Sequence, residues 1–424
     1  VTSMIRLYDS SNWLWKNPES LLITYNWGAA MQLTRWQVDE QATTDYLSGL
    51  VRINSINPSL VADAPGEAEI AAWLVEVCGA LGLATELQYA APGRPNVIAR
   101  WKGSGGGRSL LLTGHIDTVS VENMTISPFE PRIEDGKLYG RGSFDMKGGD
   151  AAILSAVEAL RDGGFEPKGD IILGFVADEE YASIGTAKMV EEIRPDAAIL
   201  TEPSEMRLCI AHRGFAWLTI TTHGKAAHGS LFEEGVDAVA HMGRVLGALE
   251  HMDSQTLTKR SHSLLVRPSV HASLIRGGLG LSTYPDHATL EIEHRLLPDE
   301  RAENVMALWR GALGKLSAAD PKFSAEVRMD FERPGYEIGE DAPIVQTVFE
   351  AYEGIMGPQP EYSGMLAWLD SALLGAAGIP TVILGPGGAG AHAAVEYVEL
   401  KDVHRCAAII AEAASNWTSQ PKMY

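Results

Sequence analysis

Seven residues carry side chains able to hold or serve a divalent cation: His115, Asp117, Asp145, Glu179, Glu180, Glu202 and His392. Imidazole mixed with carboxylate suits Zn, Mn or Co. In His115-Ile116-Asp117 the aspartate stands two residues beyond the histidine, where it can hold the second ring nitrogen. Asp145 opens Asp145-Met146-Lys147-Gly148-Gly149, at the start of a helical pattern. Taken one at a time, each has an ordinary explanation, because a lone histidine is commonly structural and a Glu-Glu pair is commonly solvated surface. What joins most of them is position, at or just beyond the end of an apolar run, and that points to a hydrolytic metal centre.

Four apolar runs must do the positioning. Leu110 to Thr113 leads to His115, Ile171 to Ala177 to Asp178-Glu179-Glu180, and Ala197 to Leu200 to Glu202-Pro203. Thr381 to Leu384 leads to Gly385-Pro386-Gly387-Gly388, with His392 just beyond. Helical patterns over Met146 to Arg161 and Gly185 to Glu192 separate the early runs, which predicts an α/β fold with a mostly parallel sheet. Such sheets bind ligands outside the carboxyl ends of their strands, so His392 can join the others despite its distance in sequence.

Between about Ala211 and Phe331 the pattern becomes strand Phe215 to Thr222, helix Gly235 to Met252, strands Ser269 to Ile275 and Ala288 to Leu296, helix Ala302 to Lys315, strand Phe323 to Met329. That βαββαβ order predicts a ferredoxin-like unit over 211–331, inserted into a catalytic domain made of 38–210 and 332–424. Pro65 to Leu83 reads as an amphipathic helix with Ile70, Trp73, Leu74, Val77 and Leu81 on one face, and Glu86 to Trp101 as a strand pair. Residues 1–37 hold Trp13, Trp15, Trp27 and Trp36 without a clean period and are expected to be an N-terminal extension of unknown role.

With 424 residues the chain is long enough for two cores. Its 34 Lys plus Arg against 55 Asp plus Glu give a formal charge of -21, which opposes binding to nucleic acid or an anionic membrane. Cys78, Cys209 and Cys406 are odd in number and far apart, so no disulfide framework is expected and a reducing, cytoplasmic setting fits. No apolar run approaches the roughly 18 residues of a membrane span. A nucleotide-dependent redox enzyme would need a glycine fingerprint after a first strand, which Gly103 to Gly107 does not supply.

Taken in order, the stretches Gly114-His115-Ile116-Asp117-Thr118-Val119, Asp135-Gly136-Lys137-Leu138-Tyr139-Gly140-Arg141-Gly142, Asp145-Met146-Lys147-Gly148-Gly149, Asp178-Glu179-Glu180, Thr201-Glu202-Pro203, Gly224-Lys225-Ala226-Ala227-His228 and Gly385-Pro386-Gly387 before His392 resemble the M20 metallopeptidase family of deacetylases, desuccinylases, aminoacylases and carboxypeptidases. The resemblance implies one or two divalent metal ions, with His115, Asp145 and Glu202 on one and Asp145, Glu180 and His392 on the other. Asp145 would bridge and Asp117 would orient His115. Two such cations about 3.5 Å apart activate a water and polarise the electrophile. Glu179 would be the general base. His228 would reach the partner's active site and stabilise the oxyanion, making the enzyme a homodimer whose inserted unit serves as lid and dimerisation domain. Arg213 is read as structural.

The chain departs from the family at the substrate side. Relatives commonly place an asparagine before a proline after the lid's Gly-Gly; here Gly277-Gly278 is followed by Ser282-Thr283-Tyr284-Pro285. Many carry an arginine two residues after the aspartate at 370, where Ala372 stands here. Met365-Leu366-Ala367-Trp368-Leu369 replaces small residues, and Val395 replaces an acidic one. Arg276, Ser282 and Trp368 are therefore the candidate substrate contacts, in a pocket expected to be more apolar, with core filling as the alternative role of Trp368 and Leu366. The leading expectation is cleavage of a C–N bond in a small molecule, the amide of an N-acyl amino acid or small peptide. Release of ammonia from an aromatic amine such as a substituted aminobenzoate is the alternative. A catalytically silent binding protein is the reading from another class.

Overall fold

The structure is a computed structural model that describes residues 35–422. Trp13, Trp15 and Trp27 lie outside the described residues. Trp36 does not behave as part of an extension: it is buried, donates its indole N–H to Ser415 Oγ at 3.0 Å, and meets Phe165 edge-on.

A nine-stranded sheet organises the larger part of the chain, in the order Ala84–Ala91, Arg94–Trp101, Ile171–Val176, Leu110–His115, Ala197–Leu200, Thr381–Ile383, Leu208–His212, Tyr336–Glu337, with Tyr362–Met365 also paired to Leu208–His212. The four strands that lead to the candidate ligands lie side by side and parallel. Antiparallel pairs enter on both flanks, beside the parallel pairing of Tyr362–Met365 with Leu208–His212, so the expected mostly parallel sheet is in fact mixed. The flanking strands were the harder ones to foresee because Leu208–His212, Tyr336–Glu337 and Tyr362–Met365 are short and carry no long apolar run.

Register levels the ligand-bearing ends. His115 pairs with Val176, and Thr113 with Leu200, so Glu179, Glu180 and Glu202 all emerge just beyond the same edge as His115. Continuous apolar strands are explained by burial on both faces. Leu110 and Leu112 point into a core shared with helices Glu40–Arg52, Ala68–Ala80, Gly148–Asp162, Pro343–Met356 and Leu400–Ser419, while Leu111 points the other way, to Met189, Ile193 and Leu374. The period of two along a strand produces that split.

A separate four-stranded antiparallel sheet has the order Ser269–Gly277, His287–Leu296, Gly214–His223, Ser324–Arg333. Helices Ala238–His251 and Ala302–Ala319 cover one face, with Leu218, Ile220, Leu290, Val245, Trp309 and Leu313 between. The order is that of the split βαβ arrangement. It begins at Gly214 rather than 211, because Leu208–His212 still belongs to the large sheet. A third small sheet, Gly388–Ala389, Tyr397–Glu399, Lys137–Tyr139 and Arg132–Glu134, has no counterpart in the sequence reading. It ties the segment around His392 to the one that leads into Asp145.

Candidate metal centre and active site

His115 closes its strand with a side chain only 1 % exposed. Its Nδ1 lies 3.0 Å from the main-chain carbonyl of Asp117, an acceptor, so Nδ1 carries a proton and Nε2 is the nitrogen turned toward the cleft. The expected orienting role of Asp117 thus falls to its backbone; its carboxylate is 3.6 Å from Nδ1. That carboxylate instead accepts the N–H groups of Glu179 at 3.1 Å and Glu180 at 3.3 Å, fixing the next strand's exit loop.

Around His115 Nε2 gather Asp145 Oδ1 at 3.2 Å, Glu202 Oε1 at 3.9 Å and Glu179 Oε2 at 4.0 Å. On the far side of Asp145, His392 Nε2 lies 3.5 Å from Oδ2 and 3.0 Å from Glu180 Oε2. The two oxygens of Asp145 therefore face two different imidazoles. Donor atoms of His115, Glu179 and Glu202 lie within 4.8 Å of one another, as do those of His115, Asp145 and Glu180.

Asp145 is held by a residue the sequence reading did not single out. Buried Glu396 accepts the N–H groups of Phe144 and Asp145 at 3.0 Å each through Oε1; Oε2 takes Gly142 N–H at 3.0 Å and the Arg141 guanidinium at 2.6 Å. Gly142 there has φ +77°, where an added Cβ would also strike Thr118, so glycine is required. Asp178 and His392 adopt φ of +70° and +60° without being glycine, backbone conformations that persist only where surroundings impose them.

The electrostatics are those of crowded acids. Burial raises the Glu179 and Glu202 carboxyls well above their usual range, with the Glu202 charge adding to the rise at Glu179 and His115 opposing it at Glu202, and burial also raises Glu180. For Asp145 burial pushes up, but bonds to His115 and His392 reverse it and hold the group below the usual range. The His392 imidazolium is raised to about 10 by Asp145 and Glu180. Glu202 Oε1 is buried without a hydrogen-bond partner among the described residues. An orphaned buried oxygen amid crowded carboxylates and two imidazoles is what a cation would satisfy, so the residues present fit divalent metal.

The substrate-side candidates are more scattered. Trp368 is half-buried, donates its indole N–H to the Pro334 carbonyl at 3.0 Å and meets His212 and Phe215 edge-on. It joins the large sheet to the small one. Arg276 is exposed and ion-paired with Glu291 on the neighbouring strand, so it is not the free cation the sequence suggested. Ser282 accepts the Gly229 N–H at 2.7 Å, placing it beside His228, whose exposed ring bonds Ser230 Oγ at 2.8 Å. Neither joins the carboxylate cluster of its own chain through these bonds. Arg213 is spent on the Leu265 carbonyl, as a structural residue would be.

Three further residues were missed. Asp370 is buried, accepts Thr186 Oγ1 at 2.5 Å, and is pushed up to about 6 by burial. Asn57 bonds the carboxylates of both Asp117 and Asp178. Arg333, half-buried, donates to the carbonyl of Ala182, two residues past Glu180, and lies over the rings of Phe331 and Trp368. Asp370 adjoins the Met365–Leu369 stretch quoted from the sequence, whereas Arg333 and Asn57 fall in no quoted motif; only contacts reveal them.

A mixed α/β sheet with histidine and carboxylates converging at the ends of its parallel strands defines a metal-dependent hydrolase. The chain belongs to peptidase family M20/M25/M40, whose model matches residues 111–416. It is 29% identical over 328 residues to an acetylornithine deacetylase of Myxococcus xanthus, covering 76% of this chain and 84% of that one. To an N-formyl-4-amino-5-aminomethyl-2-methylpyrimidine deformylase of Bacillus subtilis it is 27% identical over 386 residues, covering 83% and 90%. Among solved structures, the aminopeptidase PepT of Bacillus cereus superimposes with a TM-score of 0.76 at 21% identity, over 90% of this chain and all of that one. A dinuclear metal-binding peptidase of the M20 family from Bacillus subtilis gives 0.69 at 18% identity, over 89% and 98%. The protein is an enzyme of the amidohydrolase type, with histidine and carboxylate groups clustered so that they could hold divalent metal ions. No helix among the described residues is long and apolar enough to cross a membrane.

Proposed function

We propose that the chain hydrolyses the amide bond of an N-acyl amino acid or small peptide at a dinuclear centre. The observation that carries this is the division of Asp145, with Oδ1 toward His115 and Oδ2 toward His392, while Glu202 and Glu180 flank the two imidazoles separately. His115, Asp145 and Glu202 would hold one ion, and Asp145, Glu180 and His392 the other, of Zn, Mn or Co. Bound there, the ions would lower the pKa of water and polarise the scissile carbonyl. Glu179 takes the proton from the attacking water and delivers it to the leaving nitrogen. Its side chain, 12 % exposed against 4 % for Glu202, is the more open to a substrate.

The division into a catalytic domain and a lid and dimerisation domain belongs to the same proposal. His228 bonds Ser230 rather than the carboxylate cluster of its own chain, and in this reading it serves the site of a second copy, for which the edge strand Ser269–Gly277 offers the means of pairing. Leu274 and Ile275 on it are about half exposed, and its outer edge has no strand beside it among the described residues. A long apolar edge is a template for pairing. In the homodimer, His228 of the partner subunit donates to the oxyanion. For an anionic substrate end Arg333 is better placed than Arg276, since it adjoins the loop of Glu179 and Glu180 and has rings of Phe331 and Trp368 beside it; Ser282 remains a contact through the His228 loop. Three buried free cysteines suit a reducing cytoplasmic setting.

The test is hydrolysis by protein reconstituted with Zn, Mn or Co, offered N-acetyl and N-succinyl amino acids, dipeptides and aminobenzoates, with amine, acid and ammonia read separately. Amine plus carboxylic acid is expected. Ammonia from an aminobenzoate with every acyl substrate untouched would overturn the amide reading.

A further inference from the structure

Behind the cluster lies a buried polar chain that runs from Glu67, Arg94 and Asn57, which are in no quoted motif, to Asp117 and Asp178, which are. Arg94 holds Glu67 through two bonds of 2.6 Å and Asp178 Oδ1 through one of 2.8 Å, and reaches Asn57 Oδ1 at 3.1 Å and Ser59 Oγ at 3.0 Å. Asn57 turns its other end forward: Nδ2 donates to Asp117 Oδ2 at 2.7 Å and to Asp178 Oδ1 at 3.1 Å. Ser59 Oγ adds a bond to Asp178 at 3.1 Å, and Ser59 N–H fixes Asn57 Oδ1 at 2.8 Å. Glu67, Arg94, Asn57, Asp117 and Asp178 are all buried. The backbone of Asn57 is fixed as well, its N–H bonding the Thr118 carbonyl at 2.8 Å.

Every member ends at the loop that presents the reactive carboxylates. Asp117 receives the amides of Glu179 and Glu180, and its carbonyl aligns His115. Asp178 immediately precedes Glu179, sits at φ +70°, and its carbonyl takes the N–H groups of Ala182 and Ser183 at 3.1 Å and 2.6 Å. An isolated buried arginine would need one carboxylate; this one has two, with an amide between it and a third. Because an amide can accept from the guanidinium at one end and donate to two carboxylates at the other, asparagine satisfies groups that would otherwise repel or stand unpaired.

We propose that Asn57, clamped by Arg94 and Glu67, is a positioning residue that sets the Glu179–Glu180 loop and His115 in the geometry needed for metal binding and proton transfer. The proposal rests on the metal-centre reading above and deepens it. Removing Asn57 Nδ2 leaves Asp117 Oδ2 with only the longer 3.3 Å bond from Glu180, and lets Asp178 follow Arg94. Partners of this kind are worth roughly 10- to 100-fold in metal affinity or turnover.

The experiment compares wild type with Asn57→Ala and Arg94→Lys, which keeps the charge but lacks the fork that engages Glu67, Asp178 and Asn57 together. Zinc titration calorimetry, amide hydrogen exchange over residues 176–184, and kcat and KM on an N-acyl substrate are measured. Expected for Asn57→Ala are zinc affinity and kcat both lowered by roughly 10- to 100-fold, faster exchange at the Glu179 and Glu180 amides, and KM within about twofold of wild type. Arg94→Lys moves the same readouts in the same direction by less, and carries the test should Asn57→Ala not fold. Folded variants with a lowered melting temperature but wild-type zinc affinity, loop exchange and kcat would mean that the chain is structural only, and the proposal falls. If wild type binds zinc and hydrolyses none of the acyl substrates, the proposed function fails, while zinc affinity and exchange still decide the positioning role.

Discussion

The sharpest test of the site separates Glu179 from Glu202. Both carboxylates come to about the same distance from His115 Nε2, 4.0 Å and 3.9 Å, so geometry alone permits either to be a ligand and either to be the base. The assignment rests on openness: Glu202 is sealed with an orphaned oxygen, Glu179 opens toward the cleft. Glutamine at either position keeps the shape and removes one charge. For Glu179→Gln the loss is that of a general base, roughly 10²- to 10⁴-fold in kcat, or about 2.7 to 5.5 kcal/mol of barrier at ~1.36 kcal/mol per decade, with two ions still bound. For Glu202→Gln the loss is electrostatic. Even unit charges about 4 Å apart at an effective dielectric near 20 interact by about 4 kcal/mol, so loss of a charged ligand to a divalent ion should cost at least roughly three decades of affinity at the His115-side position. Metal content by plasma emission after gel filtration, together with single-turnover kinetics, reads both. If Glu179→Gln loses an ion while Glu202→Gln retains both and only slows, the roles are reversed.

Asp145→Asn should empty both positions, because each of its oxygens serves a different imidazole, whereas Glu180→Gln should empty only the His392 side; equal metal content in the two variants would refute the bridging assignment. Chelator dialysis of wild type should release the His392-side ion first, since that imidazole is 54 % exposed and His115 is 1 % exposed, and a single-step loss would contradict it. Leu274→Lys with Ile275→Lys on the open edge strand should shift sedimentation from dimer to monomer and abolish turnover, and an active monomer would rule out the His228 role. Burial holds His212 and His294 neutral by lowering both to about 4. In that case the unfolded chain takes up protons below about 6.5 that the fold refuses, so their contribution is complete above that pH and is lost as pH falls toward 4. Replacing both with glutamine should flatten the fall in melting temperature between pH 7 and 4.5, and an unchanged slope would count against it.

Sequence pattern located the central strands because both faces of the sheet are covered, which makes strands such as Ile171–Val176 continuous apolar runs. It singled out His115, Glu180 and Glu202 as ligand candidates for the same reason, since a buried strand that ends in charge marks its own exit. The flanks were illegible where pairing depends on partners far away: Tyr336–Glu337 is two residues long and becomes a strand only because Leu208–His212 lies beside it. Glu396 and Asn57 were illegible on other grounds. Neither follows a strand, and their importance lies in bonds to segments about 250 and 60 residues away. Arg276 shows the opposite failure, a charge in a suggestive place that its cross-strand neighbour Glu291 has already engaged.

The two halves of the centre are built by different means, and this bears on how the site works. His115, Glu202, Glu179 and Glu180 come from the ends of parallel strands held in register by the sheet, so their spacing follows from backbone hydrogen bonds. His392 and Asp145 come from loops. Asp145 is fixed by Glu396, two residues before Val398 of the small sheet that also anchors the His392 segment, so Asp145 and His392 share one support. With Asp145 as the proposed bridge and Glu179 as the proposed base, the bridge is held by the segment tied to Glu396 and the small sheet, and the base by the exit loop of a parallel strand, so the two proposed roles are positioned by separate supports.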